Sequence, residues 1–337
     1  MKLKAALLGA AALTMLVAGT ASAADLACLI TKNNTNPFFV KMKEGAEAAA
    51  TAAGLDFQAY AGEKDGDAAP QITAIENCVA AGAKGILITP SNDSVGPALK
   101  DARAAGILVI ALDTPLADGE AQDITFATDN FEAGLLIGKW AAATKGEGAA
   151  TAKIAMLDIN KDNISVDVQR DTGFLVGFGI EVPDLSVMGS ETDARVIGHE
   201  TSDANPEGGL RAMETLLAKD PDINVVYTIN EPAAEGAYQA LKNAGKEGQA
   251  IIVSVDGGCP GVASVKSGVI GATSQQYPLK MAALGIDAIA AFAKDGTKPT
   301  VTEGLSFYNT GVNLITDKPA EGVPSLDSTE GTALCWG

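Results

Sequence analysis

Short runs rich in Val, Ile and Leu recur along the chain, each followed by a longer stretch with apolar residues at helical spacing. That alternation is the pattern of a parallel sheet with helices on its faces. Leu26 to Thr31 reads as a first strand, and Pro37 suits the first turn of a helix that runs to Ala53 and stops at Gly54. Leu55–Tyr60, Gly85–Thr89 and Ile107–Leu112 read as the next strands, with helices over Ala68–Ala81 and from the Asp93 cap to Ala105 between them. After a strand at Ile124–Thr128 the rhythm restarts. Strands are predicted at Ala152–Leu157, Ala194–His199, Asn224–Ile229, Ala250–Val255 and Ile270–Ser274. Helices are predicted at Phe131–Lys145, Val166–Phe178 (weakened by Gly173 and Gly177), Pro206–Ala218, Glu231–Ala244 and Pro278–Ala293. The class is therefore α/β, with two doubly wound parallel-sheet lobes and no floppy linker between them.

The first residues change the picture in one respect. Lys2 and Lys4 precede a short apolar run from Ala5 to Val17, and Ala21-Ser22-Ala23 offers a small-x-small cleavage pattern. Residues 1–23 are expected to be an export leader, giving a soluble mature chain that starts near Ala24 and is destined for the periplasm. The roughly 310 residues left are more than one core usually serves. The net charge is −18, and loss of Lys2 and Lys4 would take it to −20. So acidic a surface repels phosphate backbones and anionic lipid, which excludes nucleic acid as a partner and leaves a neutral ligand as the better fit.

Four cysteines, Cys28, Cys78, Cys259 and Cys335, can form two disulfides in an oxidising compartment. Three pairings are possible and sequence order does not choose among them. The pairing we expect is Cys28–Cys78 with Cys259–Cys335, since each would tie nearby parts of one lobe. No CxxC occurs and His199 is the single histidine, so neither a zinc site nor a histidine-based triad is supported. Asp158-x-Asn160-x-Asp162 imitates the start of a calcium loop but lacks glycine at the sixth position and glutamate at the twelfth, where Gln169 stands. No cofactor and no metal are expected.

In open parallel sheets, ligands sit beyond the carboxyl ends of the strands. The residues there are Asn33, Asn34 and Asn36 with Phe38 and Phe39, then Thr89, Ser91 and Asn92, then Asp113. The second half adds Asp158, Arg170, Asn230, Asp256 and Gln276. Any one of them can be a plain cap or turn former. Together they are amides, carboxylates, a guanidinium and two aromatic rings, with no phosphate-binding glycine loop and no activated nucleophile. A sugar hydroxyl both donates and accepts, so it can bridge a carboxylate and an amide or arginine, while its C–H faces pack on aromatic rings. Adjacent aromatics at a helix start are more often core, and Phe38 and Phe39 differ by about 100° in direction. Trp140 reads as core; Trp336 is undecided.

These segments are similar to the type I periplasmic sugar-binding proteins, the ribose, fructose, xylose and galactose receptors of ATP-driven importers. The likeness spans nearly the whole mature chain. It rests on Asn36-Pro37-Phe38-Phe39, Ile88-Thr89-Pro90-Ser91, Leu112-Asp113, Thr128-Asp129-Asn130, Arg170-Asp171-Thr172-Gly173-Phe174, Asn230-Glu231, Val255-Asp256-Gly257 and Gln276. The resemblance implies a ligand shell of Asn36, Phe38, Phe39, Asp113, Arg170, Asn230, Asp256 and Gln276, to which the strand-end reading adds Thr89 and Asn92. It also implies three crossings between lobes, near Thr128, Gln276 and Asn309, with residues 24–127 plus 278–307 in one lobe and 128–277 plus 308–337 in the other. Closure about that hinge would bury a monosaccharide, and the closed monomer would then dock on an inner-membrane ABC permease, touching the membrane through that protein alone. Thr114 follows Asp113 where ribose receptors carry arginine, and Thr89 replaces their asparagine, which argues against ribose itself; the four cysteines and the Gly257-Gly258-Cys259 turn resemble fructose receptors more, so fructose is the first guess among the sugars.

Three rivals share parts of this pattern. A lactose-repressor type regulator would need a helix-turn-helix headpiece and a basic patch. A hydrolase would need a G-x-S-x-G elbow, and His199 has no evident nucleophile beside it. A periplasmic receptor serving chemotaxis or signalling reads the same closed shape as one serving transport.

Overall fold

The computed structural model describes residues 24–337, and the expected leader lies outside the described residues. The chain first lays down β1 (Leu26–Thr31), α1 (Pro37–Ala53), β2 (Asp56–Ala61), α2 (Ala69–Ala80), β3 (Gly85–Ile88), α3 (Gly96–Ala104), β4 (Leu108–Leu112) and β5 (Ile124–Ala127). It then crosses to α4 (Asn130–Lys145), β6 (Ile154–Asp158), α5 (Ser165–Gly177), β7 (Val196–Thr201), α6 (Pro206–Lys219), β8 (Val225–Thr228), α7 (Glu231–Asn243), β9 (Ile251–Asp256), α8 (Cys259–Ser267) and β10 (Ala272–Gln275). Helix α9 (Pro278–Asp295) and β11 (Tyr308–Asn309) return to the first lobe; β12 (Asn313–Ile315) and α10 (Ser328–Leu334) go back to the second.

Each lobe has a six-stranded sheet, in the orders β11-β5-β4-β3-β1-β2 and β12-β10-β9-β8-β6-β7. Every pairing is parallel except β10 with β12. The central strands are apolar on both faces because helices cover both: Gly85–Ile88 and Leu108–Leu112 are buried throughout. One core cluster therefore lies on each side of each sheet.

Local signals explain where the elements stop. Asn36 caps α1 by accepting from the Phe38 N–H at 2.9 Å, Pro37 fills the first turn, and Gly54 ends it in the left-handed region at φ 69°. The four cysteines pair as Cys28–Cys78, joining β1 to α2, and Cys259–Cys335, joining α8 to the tail. Three details differ from the sequence reading. Strand β7 starts two residues later than expected, because it is a half-exposed edge with a bulge in its register and Gly198 at φ 156°. Helices α8 and α10 were not anticipated; both are too short for an apolar period to emerge, and α10 is held by an Asp327/Glu330 capping box. Tyr308 and Asn309 pair with β5, so the last crossing begins after Asn309 rather than at residue 308.

Candidate functional site

Both sheets turn their carboxyl ends toward the seam between the lobes, and two aspartates mark those ends. Asp113, just past β4, has φ 64°, and Asp256, closing β9, has φ 139°. Such backbone costs a non-glycine residue on the order of 1–3 kcal/mol and is held by the fold around it. Arg170 rises from α5 between them. Its Nε donates to Asn130 Oδ1 at 2.7 Å, Nη1 to the Ile229 carbonyl at 3.1 Å and Nη2 to Gln276 Oε1 at 3.4 Å. The same Nη2 lies 3.5 Å from Asp113 Oδ1 in the other lobe. Gln276 Nε2 in turn donates to Asp256 Oδ1 at 2.7 Å. These side chains are at least 95 % buried.

Eight of the ten expected residues line one small cavity: Asn36, Phe38, Phe39, Asp113, Arg170, Asn230, Asp256 and Gln276. Thr89 and Asn92 are not among its lining residues. Thr89 lies behind the wall, accepting the Lys32 N–H on its hydroxyl and a Gln71 amide hydrogen on its carbonyl. Asn92 caps a 3₁₀ turn through Ser94 and donates to the Gly66 carbonyl at 2.7 Å. Phe38 and Phe39 are both core and cavity wall, their rings edge to face at 5.5 Å. Helical direction separates their faces without removing either from the seam. Asn230 also serves the fold, capping α7 and donating to the Ala204 carbonyl.

Sequence reasoning missed two charged lining residues, Lys32 and Asp65. Lys32 follows β1 directly, is 2 % exposed, and has its ammonium 3.7 Å from Asp65. The strand-end rule could have found it. Burial pushes the Asp65 carboxyl up, against the pull of Lys32 and with the help of Asp113 and Asp203. Asp256 is raised by burial to about 6, with Arg170 and the Gln276 amide opposing. Glu231, behind it, is raised by burial and by Asp256 to about 8 while accepting from Gly257 N, Gly258 N and Thr273.

The cavity measures about 30 Å³; its second-lobe side chains bond one another, and Arg170 also reaches Asp113 across the seam at 3.5 Å. Ligand pockets run to some 300–1,000 Å³. A guest must therefore part these groups and take over their bonds, which is what a molecule with several donor-acceptor hydroxyls does.

A second polar group lies beside the carboxyl end of β6. His199 Nδ1 meets Asp158 at 2.9 Å and Asp171 at 3.4 Å, and Nε2 meets Glu191 at 2.9 Å. Burial pulls the imidazole down, but the Asp158 and Glu191 bonds and the fields of Asp158 and Asp171 outweigh it and hold it near 11. Burial raises Asp167 and Asp171 well above the usual carboxylate range, and Asp158 adds to both shifts. Both ring nitrogens are within hydrogen-bond distance of carboxylates, which favour the protonated form of this half-buried imidazole. Asp158, the first residue of the apparent calcium loop, belongs to this group.

Two α/β lobes that meet on a polar seam lined from both sides are the architecture of a solute-binding protein. The chain belongs to the type I periplasmic sugar-binding proteins of ABC importers, and the model of the periplasmic binding protein domain matches residues 27–298. It is 31 % identical over 288 residues to the ribose import binding protein RbsB of Escherichia coli, covering 85 % of this chain and 91 % of that one. It is 25 % identical to the D-allose-binding periplasmic protein of the same species, over 84 % and 89 % of the two chains. In fold it is similar to an Agrobacterium vitis solute-binding protein solved with D-fucose, with a TM-score of 0.75, 24 % identity and coverage of 92 % and 100 %.

Proposed function

We propose that this chain is exported through its N-terminal leader, works in the periplasm as a monomer, captures a neutral monosaccharide between its lobes and delivers it to an inner-membrane ABC permease. The cavity wall carries the reading. Asp113 and Asp256 act as hydroxyl acceptors, Arg170 and Lys32 as donors, Asn36, Asn230 and Gln276 as both, and Phe38 and Phe39 cover the C–H faces. The relatives bind ribose and allose by name, and the structural neighbours hold D-allose, D-fucose and myo-inositol, so a pentose or hexose of that size is the ligand class.

Fructose is our first candidate. Thr114 stands where ribose receptors have arginine, and its hydroxyl donates to Asp113 Oδ2 at 2.8 Å. A short donor thus replaces a long cation beside the same carboxylate, which changes the hydroxyl pattern that fits. Thermal unfolding of the mature protein against fructose, ribose, allose, xylose, glucose, galactose, mannose and myo-inositol tests the proposal, since a ligand of the folded form raises the midpoint. The largest shift is expected with fructose. A larger shift with another sugar replaces that assignment, and no shift with any of them defeats the sugar-receptor reading for ligand-free, folded protein.

A further inference from the structure

The last residues of the chain reach across the seam. Cys335 is tied to Cys259 at the start of α8, in the second lobe. The next residue, Trp336, does not stay there. Its indole is 6 % exposed and sits in the core cluster of the first lobe, edge to face with Phe38 at 5.5 Å between centroids. Phe38 is itself a wall of the ligand cavity. The indole N–H donates to the Gln276 carbonyl at 2.7 Å, on the segment where the chain passes from β10 to α9 between lobes. The Trp336 carbonyl accepts from Cys259 N at 2.8 Å, so backbone and disulfide both anchor the ring's base to the second lobe.

One side chain therefore joins three things: a rigid anchor in the second lobe, a hinge crossing, and an aromatic wall of the cavity in the first lobe. Opening the lobes must either withdraw the indole from Phe38 or drag the tail with it, and the disulfide opposes the second. We propose that Trp336 is a clasp, a positioning residue that holds the lobes closed through Phe38 and Gln276, and that the Cys259–Cys335 bond acts on ligand retention by fixing where the clasp stands. The effect on retention rests on the receptor function proposed above; the effect on lobe closure does not.

The test compares mature wild type with Trp336→Ala, Trp336→Phe and Cys335→Ser. Small-angle X-ray scattering of ligand-free protein should show a larger radius of gyration for W336A. W336F, which keeps the ring edge but loses the N–H, should lie between, as should C335S, which frees the tether but keeps the indole. Dissociation of the sugar giving the largest thermal shift, with D-fructose tried first, should be about tenfold faster in W336A, a change worth about 1.4 kcal/mol. The ligand-free unfolding midpoint of W336A should fall, because a buried ring is removed from the core, so scattering and dissociation are compared at a temperature where every variant is folded. If W336A does not fold, W336F and C335S carry both comparisons.

Dissociation within about twofold of wild type together with unchanged scattering overturns the clasp. A lowered midpoint with neither change also overturns it, leaving a purely structural packing role. If no sugar binds wild type, the receptor reading fails, and scattering alone then decides the clasp, with an unchanged radius refuting it.

Discussion

Arg170 meets four partners drawn from both lobes: Asn130, the Ile229 carbonyl, Gln276 and Asp113. Removing it would leave Asp113 and Asp256 buried without their nearest cation, and truncating one side of such a pair costs roughly 2–5 kcal/mol in binding. Arg170→Ala is expected to weaken sugar binding by at least about thirtyfold in calorimetry while leaving the circular dichroism spectrum native. An unchanged affinity would show that the ligand sits elsewhere. Asp113 and Asp256 could be singled out in the sequence because they stand where strands end, whereas Arg170, inside α5, was singled out as part of the helix after β6 and by the family resemblance. Thr89 and Asn92 stand in similar places but do not line the cavity, and their side chains satisfy neighbouring backbone groups at 3.0 and 2.7 Å. Lys32 escaped because a lone lysine after a strand reads as a solvated turn charge, and burial is a property of the opposing lobe.

Helices α4 and α5 show how an element places a site residue. Gly173 and Gly177 read in the sequence as weak points of α5, yet they are where the two helices touch. A Cβ on Gly173 would meet the Phe131 carbonyl oxygen at 2.3 Å, and one on Gly134 would meet the Arg170 carbonyl oxygen at 2.1 Å. Their backbones approach more closely than any side chain permits, and Arg170 is set on α5 by that approach. Gly→Ala gains about 1 kcal/mol in helix propensity, but overpacking against backbone costs about 1–3 kcal/mol. For Gly134→Ala the contact is with a carbonyl that cannot swing aside, so we expect a net loss of about 1–2 kcal/mol in urea unfolding. Sugar affinity should fall with it, because α5 carries Arg170 outward. Gly119→Ala, with open space around it, is the control and should be neutral in both measurements. Stability unchanged in Gly134→Ala would mean that the helices can part without penalty. The periodicity of apolar residues could announce both helices but not their separation, which small residues set only when paired with a neighbour far along the chain.

At the scale of the whole molecule, buried protons make stability depend on pH in one direction. His199 is held near 11, Glu231 near 8 and Asp256 near 6, and Asp167 and Asp171 are raised well above their usual range. Each keeps its proton in the folded chain at pH values where the unfolded chain has lost it. The unfolded state then binds fewer protons, and stability falls as pH rises. For the carboxyls the loss begins just above their ordinary values of 3.8 and 4.5; for His199 it begins near 6.5 and is complete past 11. The acidic surface adds repulsion in the same sense. Asp123, Glu191 and Asp193 are shifted down and act oppositely, but only as pH drops into the range where carboxylates titrate. Unfolding midpoints should therefore be higher at pH 5 than at pH 9. The sequence made two lobes and the cysteine count readable, yet none of this pH dependence. A single histidine in an edge strand looks idle until the fold sets Asp158, Asp171 and Glu191 around it from three separate segments. Replacing it with glutamine removes the cation those acids share, so His199→Gln should lower the midpoint at pH 6 and flatten its decline between pH 7 and 9, leaving the part due to Glu231. A slope unchanged from wild type would mean that His199 is not protonated in the folded chain.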